Sequence, residues 1–294
     1  MSYEIITDSG SNLTKDLTDK YCIHVISYTI NIDGKDTLCY DENRDFEADC
    51  KLFYDKMRSG SSISTSLINS DAFARYFEAF LKEGKDIIYV GISSGISGTV
   101  QAARIAAEDL IEKYPGRRIA VIDTLSASLA EGIWAIRVAE LREQGSSIDD
   151  VLTYFEENKM YMNQLFTVGD LAYLKRGGRI SAAEAAIGSL LSIKPILKGS
   201  EEGTIVVHEK VRSRSRALQT LISLTVSRLT GPSEEYVGIA HCDAPEEAQF
   251  VADSIRAQHP VKDIFVRYYD LCTGAHVGPG TIAIFFFGTD RRSW

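Results

Sequence analysis

The chain has 294 residues, 45% of them hydrophobic and 25% charged, an ordinary composition for a globular protein with a core large enough for one large domain or two medium ones. Forty-one acidic against 32 basic residues leave a formal charge of −9, which argues against a duplex-binding surface and so against nucleic acid as a partner. Five scattered cysteines (Cys22, Cys39, Cys50, Cys242, Cys272) lack Cys-x-x-Cys spacing, which argues against a zinc site or a disulfide framework.

The amino terminus shows no signal-peptide pattern, and the apolar run Ile282 to Phe287 is too short to span a bilayer. The expectation is a cytoplasmic protein with reduced thiols.

In chain order, Tyr3 to Thr7 reads as a strand, followed by the polar turn Asp8-Ser9-Gly10-Ser11-Asn12. His24 to Ile32 reads as a second strand running into a hairpin turn at Asp33-Gly34. Phe73, Phe77, Phe80 and Leu81 predict an amphipathic helix. Ile87 opens a strand that breaks into Ser93-Ser94-Gly95-Ile96-Ser97-Gly98-Thr99, and Ala103, Ala106, Ala107, Leu110 and Ile111 predict the helix behind it. Arg118 to Ile122 is another strand, ending in Asp123-Thr124. Leu129, Ile133, Ile136 and Leu141 form a helix stripe that stops near Gly145.

This alternation implies a mostly parallel sheet covered by helices. Ligands of such sheets sit outside the carboxyl ends of the strands. The turns at Asp8-Ser9, Ser93-Ser94 and Asp123-Thr124 are therefore expected to converge on one crevice. The Ser93–Thr99 turn, placed before a helix, is a candidate oxyanion cradle through backbone N–H groups and hydroxyls. Serines and glycines also simply fill turns and cap helices.

A second unit begins near Gln164, dividing the chain into residues 1–163 and 164–294. Leu165 to Val168 reads as a strand and Leu171 to Lys175 as a short helix stopped by Arg176-Gly177-Gly178-Arg179. Ser181 to Glu184 carries a capping-box signal for a helix with Ile187, Leu190 and Leu191. Lys194 to Leu197 and Thr204 to Glu209 suggest a hairpin, Ala217 to Leu229 and Pro245 to Gln258 helices, and Tyr236 to His241, Ile264 to Tyr269 and Thr281 to Phe287 strands. A mixed sheet follows. Phe285, Phe286 and Phe287 are consecutive, so in a strand at least one must cover a second apolar surface.

His276, between Gly274 and the Gly278-Pro279-Gly280 turn, is a candidate donor to an oxyanion, set against the plainer reading of a histidine in a flexible turn. The basic knots Lys175, Arg176, Arg179 and Arg212, Arg214, Arg216 are either solvated faces or docking points for an anionic partner. Two catalytic readings compete with a binding role. One is a serine hydrolase using Ser94 and His276 with Asp8 or Asp123, although the Gly-x-Ser-x-Gly elbow is missing. The other is a nucleotide-binding enzyme, although both the P-loop and the Gly-x-Gly-x-x-Gly fingerprint are missing.

Four segments taken together resemble the DegV family, the fatty-acid-binding proteins also called FakB. They are Tyr3-Glu-Ile-Ile-Thr-Asp-Ser-Gly-Ser-Asn-Leu13, Ile92-Ser-Ser-Gly-Ile-Ser-Gly-Thr99, Leu171-Ala-Tyr-Leu-Lys-Arg-Gly-Gly-Arg-Ile-Ser181 and Gly274-Ala-His-Val-Gly-Pro-Gly280. Ile193-Lys-Pro-Ile-Leu197 and Glu209-Lys-Val-Arg-Ser213 fit as well, so the resemblance runs in order along nearly the whole chain. It implies two α/β domains, the first with a mostly parallel sheet and the second with a mixed one, and a long-chain fatty acid held between them. It implies a carrier with no cofactor and no metal, not an enzyme: a separate fatty acid kinase subunit phosphorylates the bound carboxylate, and the acyl phosphate enters phospholipid synthesis. Contact with a membrane surface would be transient at most.

By match of motif, Thr65, Ser94 and His276 correspond to carboxylate-binding positions, with Ser93 and Ser97 as supporting donors. Arg176, Arg179 and Arg212 correspond to the kinase-facing surface. The chain departs from the family where Leu67-Ile68-Asn69 follows Thr65-Ser66 in place of Gln and Pro, in the alanine-rich run 182–186, and in the unmatched end from Gly288 to Trp294.

Overall fold

A computed structural model describes residues 3–181, 193–230 and 235–294. Strands β1 (Tyr3–Asp8) and β2 (Ile23–Ile26) pair in parallel. A three-stranded antiparallel sheet follows, built from β3 (Thr29–Ile32), β4 (Lys35–Leu38) and β5 (Ile63–Ser66) in the order β4-β3-β5. β6 (Asp86–Gly91) and β7 (Ile119–Asp123) complete a four-stranded parallel sheet of order β2-β1-β6-β7. Ile87, Ile88, Tyr89 and Val90 are all buried, as a parallel strand covered on both faces requires.

The single strand expected from His24 to Ile32 is two strands in two sheets. The break falls at Ser27-Tyr28, where side chains take over backbone groups that a continuous ladder would use. Ser9 Oγ accepts the Tyr28 N–H at 3.0 Å, and Ser27 Oγ accepts the Tyr40 N–H at 2.9 Å. The Asp33-Gly34 turn forms as expected, with both residues left-handed (φ 52° and 86°), the geometry that suits strand twist in a two-residue hairpin.

Helices α1 (Lys15–Tyr21), α2 (Phe46–Arg58), α3 (Ser70–Lys82), α4 (Thr99–Lys113), α5 (Leu129–Glu143) and α6 (Ile148–Asn158) fill out this half. α1, α2 and α6 have no counterpart among the elements expected from the sequence, although in α6 Ser147 and Asp150 form a reciprocal capping box. The amphipathic stripe assigned to α5 is also too narrow a reading. Ten of its residues, from Leu129 through Ala139, are buried, because the helix lies between the parallel sheet and a second sheet. Its close approach to both is made by glycines. A Cβ on Gly132 would stand 2.5 Å from Ser11 O, and one on Gly238 of the second sheet would stand 2.7 Å from Leu129 Cβ.

That second sheet comprises β8 (Met162–Thr167), β9 (Ile193–Gly199), β10 (Ile205–Arg212), β11 (Tyr236–His241), β12 (Asp263–Tyr268) and β13 (Ile282–Phe287). The order is β10-β9-β8-β13-β11-β12, antiparallel except for β11 with β12, so the mixed sheet is as expected. Helices α7 (Ala172–Arg176), α8 (Arg214–Arg228), α9 (Pro245–Arg256) and α10 (Leu271–Val277) complete the described elements. The capping box and helix expected from Ser181 into residues 182–192 lie outside the described residues. Phe285 and Phe287 face the core shared with the first sheet, while Phe286 enters a separate core beneath α8 and α9. Among the described residues no helix is long and apolar enough to cross a membrane.

Candidate functional site

Beyond the carboxyl end of β6 lies a cavity of about 270 Å³. Ile92 and Ile96 line it from the parallel sheet, Phe166 and Phe285 from the mixed sheet, and Leu174 and Val277 from α7 and α10. Its polar residues include Thr65, Ser97 and His276, which are remote in sequence.

Thr65 and His276 meet. Thr65 Oγ1 stands 2.9 Å from His276 Nε2, joining the end of β5 to α10. His276 lies in the helix α10, not in the flexible turn of the plainer reading, because Asp270 caps that helix by accepting the N–H groups of Cys272 and Thr273. Asn12, from the first polar turn, braces the same junction. Its amide donates to Tyr268 O at 2.7 Å and accepts the Asp270 N–H at 3.1 Å. On the other side of the imidazole, Gly177 presses its backbone so close that a Cβ there would overlap His276 Nδ1. Burial, reinforced by the positive charge of Arg179, pulls the His276 pKa down to about 4, so the ring is neutral at pH 7.

The Ser93–Thr99 turn does not offer the open N–H cradle expected of it. Ser93 N donates to Ser126 O (2.7 Å), Ser94 N to Asp123 Oδ1 (3.1 Å) and Gly95 N to Ser93 Oγ (3.0 Å). Ile96 N and Ser97 N both donate to Ser93 O, at 3.2 and 3.1 Å. Every backbone N–H from 93 to 97 is used within the fold. The side chain of Ser93 is buried and donates to Gly203 O at 2.8 Å, tying the turn to the β9–β10 hairpin. Ser94 is exposed and does not line the cavity. Ser97 does, with its hydroxyl 2.9 Å from Thr99 Oγ1, which also accepts from Tyr28 OH at 3.0 Å. Of the three strand-end turns, the first therefore serves as a brace. The other two reach the cavity through Ile96, Ser97, Ser126 and Ala127.

The same geometry removes the hydrolase reading. His276 Nε2 is bonded to Thr65, and Ser94 is exposed and absent from the cavity wall that His276 lines. Asp8 is committed to Gly10 N and Tyr89 OH, and Asp123 to Ser94 N and Leu125 N.

A second, more polar cleft of about 510 Å³ adjoins the cavity and shares Thr65, Arg179 and His276 with it. Ser61, Ser62, Ser64 and Arg176 line its remaining wall. Arg179 is held in place by donating from Nε to Ile96 O at 3.1 Å and from its terminal nitrogen to Gly177 O. Arg176 is exposed, its guanidinium 4.9 Å from the Tyr173 ring centroid. Arg212 is exposed at the end of β10, seven residues past Ile205, where the hairpin approaches Arg179. At about 3.3 Å per residue the strand puts ~23 Å between those two ends.

Two α/β layers share a largely apolar cavity, with a hydroxyl and a neutral imidazole at its polar edge. The chain belongs to the DegV family. A sequence profile described as "Uncharacterised protein, DegV family" matches residues 2–289. A DegV domain-containing protein of Clostridium perfringens is 41% identical over 290 residues, covering 99% of both chains. Among solved structures, a fatty-acid-binding DegV family protein of Thermus thermophilus superposes with a TM-score of 0.87 at 29% identity, covering 98% of this chain and 100% of that one. DegV of Bacillus subtilis, described as a fatty acid binding protein, gives 0.83 at 29% identity and the same coverage.

Proposed function

We propose that this protein is a fatty-acid carrier that buries a long acyl tail in the apolar chamber and presents the carboxylate to a separate fatty acid kinase, which forms the acyl phosphate. The observation that carries the proposal is the shared wall. Thr65, Arg179 and His276 border both the apolar chamber and the polar cleft, so a carboxylate held there keeps one side toward water and toward a phosphate donor.

Affinity comes from the tail, since burying a methylene contributes about 0.8 kcal/mol and roughly fifteen of them about 12 kcal/mol before association costs. The head group is held by neutral donors. With its hydrogen on Nε2, His276 donates to Thr65 Oγ1 and frees the Thr65 hydroxyl hydrogen for the carboxylate. Ser97 replaces Ser94 as the serine of this set, because it lines the chamber and Ser94 does not. Arg176 and Arg179 form the kinase-facing rim, and Arg212 is an outlying charge on the same edge hairpin. Residues 1–163 and 164–294 act as two domains with the ligand between them, in the cytoplasm.

Solvent extraction of the purified protein and mass spectrometry test the first half, with stoichiometric fatty acid as the expected result. A protein that is empty and cannot take up fatty acid would sink it. The second half requires that the loaded protein, mixed with a fatty acid kinase and ATP, yield acyl phosphate at the rate set by its own concentration. A kinase that phosphorylates free fatty acid equally well without it would remove the presenting role.

A further inference from the structure

The Thr65 hydroxyl is oriented by His276, and the Ser97 hydroxyl has an orienting group of its own. Ser97 Oγ accepts the Thr99 N–H at 3.3 Å and stands 2.9 Å from Thr99 Oγ1, which in turn accepts the Tyr28 O–H at 3.0 Å. Thr99 and Tyr28 are buried, while Ser97 is half-buried and lines the chamber. This row of hydroxyls lies beside the head-group strand, since a Cβ on Gly98 would stand 3.2 Å from Leu67 Cδ2, two residues beyond Thr65.

The direction of the row follows from counting hydrogens, because each hydroxyl has one to give and two lone pairs to receive. With Tyr28 donating to Thr99 Oγ1, the Thr99 hydrogen turns to Ser97 Oγ. Ser97 Oγ then accepts both the N–H and the O–H of Thr99, which fills its lone pairs and leaves its own hydrogen to be given away. Burial, with the Asp8 carboxyl the next contributor, pushes the Tyr28 phenol well above its ordinary range, so it keeps the hydrogen that starts the row.

We propose that Tyr28 is a positioning residue for the fatty-acid head group, turning the Ser97 hydroxyl through Thr99 into a committed donor to the carboxylate. It does for Ser97 what His276 does for Thr65. Hydroxyls aligned head to tail polarise one another, and a bond to an ionised acceptor gains most from a polarised donor. The row therefore favours an anionic head group over a neutral one, without placing a positive charge beside it. The proposal rests on the fatty-acid reading and deepens it by naming what selects the carboxylate.

The test measures dissociation constants of the full chain for tetradecanoic acid and for tetradecan-1-ol, by displacement of a fluorescent fatty acid. Tyr28→Phe keeps the ring and removes the first hydroxyl of the row, while Thr99→Val keeps the side-chain shape and breaks the row at its middle. Each should lower the preference for the acid over the alcohol roughly two- to fivefold. In a Ser97→Ala background, Tyr28→Phe should lower it no further. Thr99→Val carries the test even if Tyr28→Phe does not fold. Equal weakening of acid and alcohol would make Tyr28 a packing residue and overturn the proposal. An unchanged preference in both variants would overturn it too, as would a Tyr28→Phe loss that persists in Ser97→Ala, and in each case the carrier reading stands. If the wild-type protein binds neither ligand, both fall together.

Discussion

The Ser93–Thr99 turn and the Thr65–His276 corner border the same chamber, yet they spend their polar atoms in opposite ways. The turn is dense in hydroxyls and N–H groups, and its backbone N–H groups from 93 to 97 and the Ser93 hydroxyl are consumed internally, on Ser126, Asp123, Ser93 itself and the Gly203 carbonyl. The corner has few polar atoms, but they come from three distant segments and face a common opening. Density of donors in a sequence motif therefore indicates a demanding backbone path. Availability is decided by the accounting of partners, which only the fold supplies.

The largest expected effect tests the turn as architecture. Gly203 has φ 74°, and a Cβ there would overlap Ser93 Oγ and stand 2.9 Å from Leu125 Cα. Gly203→Ala should cost about 2–4 kcal/mol and lower the melting temperature by roughly 3–6 °C in calorimetry. A shift within a degree or two would mean that the turn and the hairpin are not locked together.

The corner should respond in the opposite sense, losing ligand more than stability. Thr65→Val removes a hydrogen bond to a charged group, worth about 1.5–3 kcal/mol, and His276→Ala removes the donor that turns the Thr65 hydroxyl toward it, so in each fatty-acid affinity should fall by roughly tenfold to a hundredfold. Titration with a fluorescent fatty acid reads the change, and melting curves check that the fold survives. Unaltered affinity in both variants would dissolve the head-group assignment.

Between these two lies the serine comparison. Ser97→Ala should weaken binding by a few-fold, about 1 kcal/mol, whereas Ser94→Ala should leave affinity and stability within about 0.5 kcal/mol of wild type. The reverse ranking would restore Ser94 to the carboxylate and discard Ser97.

Much of the fold was readable where strands and helices announce themselves locally. The β9–β10 hairpin, the Asp33-Gly34 turn and the split burial of Phe285–Phe287 follow from period and turn chemistry alone. What escaped depends on contacts between distant segments. α5 looks amphipathic until a second sheet covers its other face. Gly177 reads as a helix stop, while its tight constraint is the imidazole of residue 276. The role of Asn12 as a brace beneath α10 has no local signature at all. The spacing of Ser94 and Ser97 could not rank them, because one step along a turn exchanges a wall position for a solvent position.

The smallest effect, and the finest probe of the corner, is its proton. Burial holds His276 near 4 in the free protein, against about 6.5 in an unfolded chain. As pH falls from 6.5 toward 4 the unfolded chain takes up a proton that the folded one refuses, so His276 contributes a loss of stability over that window. His241, also held near 4 by burial, adds a loss of the same sign, so the His276 share is isolated only by comparison with His276→Ala. A carboxylate seated beside Thr65 reverses the electrostatics at one site only. Opposite charge within about 4–6 Å favours the imidazolium, which raises the His276 pKa in the complex above its value in the free protein. Between those two values binding must draw a proton from solution, and affinity must rise a few-fold as the pH is lowered, until the fatty acid itself becomes protonated. Calorimetric titration at pH 5.5 in two buffers of different ionisation enthalpy measures that uptake. Wild type should take up a fraction of a proton that His276→Ala does not. Equal buffer dependence in the two proteins would place the carboxylate away from the imidazole, and the corner would then be a packing contact like the turn beside it.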